Sequence, residues 1–144
     1  VQGAANTLTA SADEDLVVQP YLASVEAEGE YSAIWFAGQL SHGVRKVPVA
    51  GDYRVQDDFG AHDEPWTIDA GALELCEAVF AALDRVLARL GSSGPLLYAR
   101  VDMLRDASGE LVLNELELIE PSLFLRHRPA AGRVLAEALL AALA

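Results

Sequence analysis

The sequence predicts an α+β fold, an antiparallel β-sheet packed with two main helices. Three observations predict it. Short β-rich and alternating runs are bounded by turn residues, as strands are. Longer Ala/Leu-rich segments behave differently, the clearest repeating apolar residues every three to four positions, as an amphipathic helix does. The elements follow one another in the order β-β-β, α, β-β, α. At 144 residues, with 52% apolar and 22% charged residues, the chain suits one domain, or two small subdomains sharing a cleft, and can bury a substantial core.

Residues 1–14 are small and polar and read as a loop and then a linker, with the core running over 16–144. Leu16–Val18 reads as a short strand leading into Gln19-Pro20-Tyr21-Leu22. Tyr31–Ala37 is a β-rich run that Gly38-Gln39 turns back into a partner over Ser41–Val49. Residues 50–69 carry Gly51, Gly60 and Pro65, are too polar for a core, and read as a long connection of the kind that is often functional. Ala72–Leu90 sets Leu73, Cys76, Phe80, Leu83, Leu87 and Leu90 on one helical stripe, with Asp69 as N-cap and Gly91 as the stop. Leu96–Leu104 and Leu111–Ile119 are strands joined across Asp106–Glu110, and a helix from about Pro129 to Leu143 packs on the sheet.

A net charge of −12 argues against a nucleic-acid partner, whose phosphates demand a basic surface. It leaves room for a nucleotide, which can be held through magnesium and a few placed cations. Cys76 stands alone on the apolar stripe, so it reads as a buried, inert thiol and there is no disulfide framework. No apolar run approaches a membrane span and no signal peptide is visible, so a cytoplasmic location is expected. The chain opens at Val1, without an initiator Met, and reads as the C-terminal piece of something longer. Whether it forms a homo-oligomer is open.

Six carboxylates crowd one region: Asp102, Asp106, Glu110, Glu115, Glu117 and Glu120. If Asp106 and Leu111 close the turn, antiparallel pairing sets Leu104 opposite Leu113, Asp102 opposite Glu115 and Arg100 opposite Glu117, all on one face. Ala99, Val101 and Met103 then share the other face with Val112, Leu116 and Leu118, against the helices. Facing carboxylates repel unless a cation bridges them, one is protonated, or water floods them. Hard oxygen donors without His or Cys suit Mg²⁺ or Mn²⁺ rather than zinc. A solvated polar face is the plain alternative, and a glycosidase-type acid pair is a weaker one. Asp106, Glu110 and Glu120 fall to the turn or the opposite face. His42, His62 and His127 read as surface or loop residues, and Trp35 and Trp66 as packing.

Tyr98-Ala-Arg-Val-Asp102, followed by Val112-Leu-Asn-Glu-Leu-Glu117 and Pro121-Ser122, resembles the metal-binding end of ATP-grasp ligases, glutathione synthetase-like ones in particular. The resemblance covers roughly Val17 to Pro121. It implies ATP and Mg²⁺ (or Mn²⁺) as cofactors, with Asp102, Glu115 and Glu117 as metal ligands. It implies that Gln19, Tyr21 and Leu22 form a hinge reading adenine through its backbone, that Glu30 grips the ribose hydroxyls, and that Lys46 reaches phosphate. Arg100 and Arg54 become the catalytic cations, whose flat guanidinium forks suit phosphate and carboxylate. Taken singly, Glu30, Lys46 and Arg54 read as ordinary charges of an acidic protein; their order along the chain carries the likeness.

The chain also departs from the family. Glu117 stands where the family usually has Asn, and Glu30 where it has a shorter Asp. The family's two upstream phosphate-binding lysines and its acceptor domain have no counterpart here, while Gly3-Ala-Ala-Asn-Thr7 resembles the tail of its glycine-rich loop. The implied activity is an ATP-dependent joining of a small carboxylate to an amine or thiol through an acylphosphate. This chain would be the C-terminal ATP-grasp subdomain, inactive on its own. The alternative is a non-catalytic nucleotide- or metal-binding module.

Overall fold

The computed structural model describes Asp15, residues 17–92 and residues 96–143. The glycine-rich tail expected over Gly3–Thr7 lies outside them. Among the described residues five strands form one sheet in the order β3-β2-β1-β4-β5, every neighbouring pair antiparallel. The strands are β1 (Glu30–Phe36), β2 (Gln39–Val47), β3 (His62–Trp66), β4 (Tyr98–Arg105) and β5 (Leu111–Glu117). The helices are α1 (Ser24–Glu28), α2 (Ala70–Arg89) and α3 (Ala131–Leu143).

β1 is the central strand, and all its residues are buried because both of its faces are covered. One face, Tyr31, Ala33 and Trp35, meets Ala99, Val101 and Met103 of β4 and the Ala72, Cys76 and Val79 stripe of α2 in the main core. The other face changes character along its length. Ile34 and Phe36 pack with Val44, Phe124 and Ala131 in a smaller core, whereas Glu30 and Ser32 at the opposite end are buried polar residues. That polar end positions the site.

α2 forms where its pattern places it. Asp69 Oδ1 accepts the Ala72 N–H at 2.9 Å, satisfying a first-turn donor. At the other end Gly91 takes φ 68°. The Ser92 and Gly91 N–H groups close on the Leu87 and Ala88 carbonyls at 3.0 and 3.2 Å, a Schellman stop. Cys76 is buried on the stripe, and burial pushes its thiol up to about 11, so it is inert as expected.

Four expectations need correction. Val17 and Val18 form no strand; they are 92% and 77% exposed in irregular backbone. The fifth strand is β3 instead, inside the expected connection over 50–69, running from Gly43↔Trp66 to Val47↔His62 along β2. Its polar sequence and Pro65 hide it, but an edge strand tolerates both. The β1–β2 turn is Ala37-Gly38, one residue earlier than expected, with both φ values positive at 49° and 76°. Finally, α3 packs on the sheet side only near its start, through Ala131 and Leu135, while Leu139, Leu140 and Leu143 are exposed.

The β4–β5 register holds at Arg100↔Glu117 and Asp102↔Glu115 and then breaks, because Met103 pairs Leu113 and Leu104 pairs Val112. Asn114 is the extra residue of a β-bulge. The bulge reverses the alternation beyond it, so Leu111, not Val112, joins the helix-side core.

Candidate functional site

On the polar end of the sheet, Glu30 of β1 lies across from Lys46 of β2, and Ser32 across from Asp102 of β4. Side chains at these positions share one face. Asp102 is wholly buried (0% exposed). It accepts the Ser32 hydroxyl at 2.6 Å, Arg100 Nε at 2.9 and 3.0 Å, Arg100 Nη2 at 2.8 Å and Lys46 Nζ at 3.3 Å. Lys46 also pairs with Glu30, whose Oε1 accepts Asn114 Nδ2 at 2.6 Å. Arg100 reaches onward to Glu117 and donates Nη1 to the Ser122 carbonyl at 3.2 Å.

The two buried acids are shifted in opposite directions. Burial alone would raise Asp102, but the Arg100 hydrogen bonds and the charges of Lys46 and Arg100 outweigh it and hold the carboxyl below its ordinary range. Burial dominates at Glu30 and raises it, despite Lys46 and Asn114 pulling it down, and the nearby Asp102 charge raises it further. The closer contact of Lys46 to Glu30 therefore does not decide the direction in which each acid shifts. Asp102 holds two cations and Glu30 only one.

Asp102, Glu115 and Glu117 bring ligand oxygens within 4.8 Å of one another, the one such group of acids, His or Cys among the described residues. Three hard oxygens without nitrogen or sulfur fit a magnesium-like ion. Asp102 is the buried member, and Glu115 is exposed.

A cavity of about 500 Å³ opens beside this network, within the range of small-molecule sites. Its walls contain Gln19, Tyr21, Leu22, Glu30, Lys46, Arg54, Arg100, Glu115 and Glu117, so every residue singled out from the sequence except the fully buried Asp102. Gln19 donates Nε2 to Asn114 Oδ1 at 3.2 Å. Leu22 packs with Val25, Val55 and Leu104 in an apolar patch. Tyr21 is exposed, edge-on to Tyr53 at 6.2 Å, and its hydroxyl bonds Glu26, which pushes its pKa up to about 12. Arg54 is an exposed residue of the wall. Its guanidinium bonds Asp52 at 2.6 to 3.1 Å and stacks 4.0 Å from the Phe59 ring centroid.

No protein-family model matches the chain. The cycloserine biosynthesis protein DcsG of Streptomyces lavendulae is 34% identical over 128 residues, covering 86% of this chain and 41% of DcsG. The crystal structure of D-cycloserine synthetase DcsG matches with a TM-score of 0.70 at 33% identity, over 88% of this chain and 42% of that one. The chain is a homologue of DcsG. It thus spans about two fifths of the length of that relative. The D-alanine–D-alanine ligase of Bacillus anthracis, solved with ATP, matches over 96% of this chain and 46% of its own with a TM-score of 0.56. At 23% identity that likeness concerns the fold, an ATP-grasp subdomain.

Within this DcsG homologue, sequence reasoning misses two site residues. Strict alternation assigns Asn114 to the helix side, and the bulge turns it into the cavity. Ser32 reads as one more β-strand residue, and its signal is indirect: it sits two residues after Glu30 and so shares its face. Glu120 takes φ 55° after β5 ends and stays outside the carboxylate group. One histidine differs from its expected surface or loop placement. His42 is on β2, its Nε2 3.1 Å from the Leu123 carbonyl oxygen, and burial lowers its pKa. His127 pairs with Asp63 of β3. Trp35 and Trp66 pack on Phe80 and Tyr31 with ring centroids 4.9 and 5.0 Å apart, as expected of core residues.

Proposed function

We propose that this chain is the C-terminal ATP-grasp subdomain of a ligase that activates a small carboxylate with ATP and joins it to an amine or thiol. The observation that carries the reading is one cavity. The hinge segment, Glu30, Lys46 and the Arg100–Glu117 pair lie far apart in sequence yet line it together, in a homologue of DcsG.

In this reading the backbone of Gln19–Leu22 offers N–H and C=O groups to an adenine edge, and Glu30 accepts from the ribose hydroxyls. Lys46 presents a compact charge to phosphate. Asp102, Glu115 and Glu117 would hold Mg²⁺ or Mn²⁺, which neutralises phosphate charge when bound. Arg100, fixed by Asp102 and Glu117, stands ready to stabilise charge developing on the acyl group, and Arg54 in the cavity wall orients a carboxylate substrate. Small amino acids are the first substrates to test, because the two relatives are named for D-cycloserine and D-alanine.

The test is nucleotide turnover by the full-length protein with ATP, Mg²⁺ and a panel of small amino acids. ADP release should require the metal and a carboxylate substrate, and Glu115→Gln should reduce it by at least about a hundredfold. Full turnover in Glu115→Gln would remove the metal assignment. Nucleotide binding with no turnover on any substrate would favour a non-catalytic module.

A further inference from the structure

We propose that Asn114 is a positioning residue, setting the Glu30 carboxylate toward its ligand and tying it to the hinge segment. The inference rests on the reading that Glu30 takes ribose hydroxyls. Asn114 itself has no role in the resemblance that suggested that reading.

The argument begins with the bulge. A regular β5 would carry residue 114 on the helix side, where an amide has no polar partner. The extra residue between the Asp102↔Glu115 and Met103↔Leu113 pairs turns its side chain to the cavity instead. Bulges re-aim side chains in this way, and they often do so beside functional sites.

Hydrogen-bond polarity then fixes the amide. The Glu30 carboxylate accepts, so Asn114 must present Nδ2, as it does at 2.6 Å. Its Oδ1 is left to accept Gln19 Nε2, at 3.2 Å. One side chain therefore links an acid of the central strand to the segment that would read the base. Lys46 holds the other carboxylate oxygen, Oε2. Without Asn114, Lys46 would be the one strong partner of Glu30 among the described residues, and the carboxylate would turn toward it. Glu30 is 5% exposed, so water is poorly placed to take over the lost bond.

The experiment compares ATP with 2′-deoxyATP, measuring the dissociation constants by calorimetry on the full-length protein with Mg²⁺. The wild type should prefer ATP by about tenfold, the worth of one hydrogen bond to a charged group. Asn114→Ala and the near-isosteric Asn114→Asp, which cannot donate when ionised, should bring that ratio to within about threefold of one. Asn114→Ser serves as a second small variant if either fails to fold. A purely structural role would weaken both nucleotides alike and leave the ratio intact, which would overturn the proposal. Glu30→Gln separates the two levels. If it abolishes the preference while the Asn114 variants keep it, Asn114 does not position Glu30. If Glu30→Gln leaves the preference unchanged, the ribose reading falls and this inference falls with it.

Discussion

Arg100 holds Asp102 from two positions away on the same strand, bonding both carboxylate oxygens through Nε at 2.9 and 3.0 Å and one of them again through Nη2 at 2.8 Å. Residues i and i+2 of a strand share a face, so the pair is built into β4 itself. Removing Arg100 leaves Asp102 a buried charge with Lys46 as its one remaining cation among the described residues and the Ser32 hydroxyl beside it. Arg100→Met should therefore lower unfolding stability by about 3 kcal/mol or more, measured by urea denaturation. Asp102→Asn added to it should recover a large part. Strict additivity of the two changes would mean that the pair is not coupled.

The opposite shifts of the two buried acids predict opposite pH behaviour. Asp102 is depressed, so its contribution to stability is full above its ordinary pKa of 3.8 and is lost as pH falls through its lower folded value. Glu30 is raised, so its contribution is full below its ordinary 4.5 and is lost as pH rises through its higher folded value. Urea midpoints measured across pH should show this directly. Asp102→Asn should flatten the acid limb of the curve, and Glu30→Gln should flatten the decline just above pH 4.5. The same change in both variants would contradict the opposite shifts.

Gly29 joins α1 to β1 immediately before Glu30, with φ 80°. A Cβ there would overlap the Lys46 carbonyl oxygen and lie 3.1 Å from its carbonyl carbon, both backbone atoms that cannot swing away. Gly29→Ala should cost more than about 2 kcal/mol, through the positive φ and the clash together. It should also disturb the Glu30–Lys46 pairing. A melting temperature within a degree or so of wild type would show that the β1–β2 entry has slack.

Much of this fold and site is legible in the sequence, for identifiable reasons. The facing of Asp102 with Glu115 and of Arg100 with Glu117 follows from strict alternation around a short turn, and only one register keeps the carboxylates out of the apolar layer. α2 is legible from its stripe and from both its caps. What escapes is whatever breaks a period. The bulge at Asn114 adds one residue without any compositional mark, and with it goes the pairing of Leu104 with Val112. β3 is a short polar edge whose identity comes from β2 beside it, and propensity cannot supply that neighbour. Val17 and Val18 have the composition of a strand, yet the sheet gives them no partner.

The last prediction concerns the carboxylate set. Asp102 and Glu117 already hold Arg100, so an incoming divalent cation meets an internal competitor. Mn²⁺ alone should bind weakly to the wild type, and nucleotide phosphates should tighten it by drawing the guanidinium away. The stability argument for Arg100 supplies a sharper check. In Arg100→Met the carboxylates lose their guanidinium, and a cation bound among them would replace its charge. A ligand present at a hundred times its dissociation constant stabilises by about 2.7 kcal/mol, comparable to the loss expected from the substitution. Mn²⁺ should thus raise the melting temperature of Arg100→Met by more than that of the wild type, and Glu115→Gln in the same background should remove the gain. If Mn²⁺ stabilises both proteins equally, the ion binds elsewhere, and what bridges Asp102 to Glu117 is Arg100.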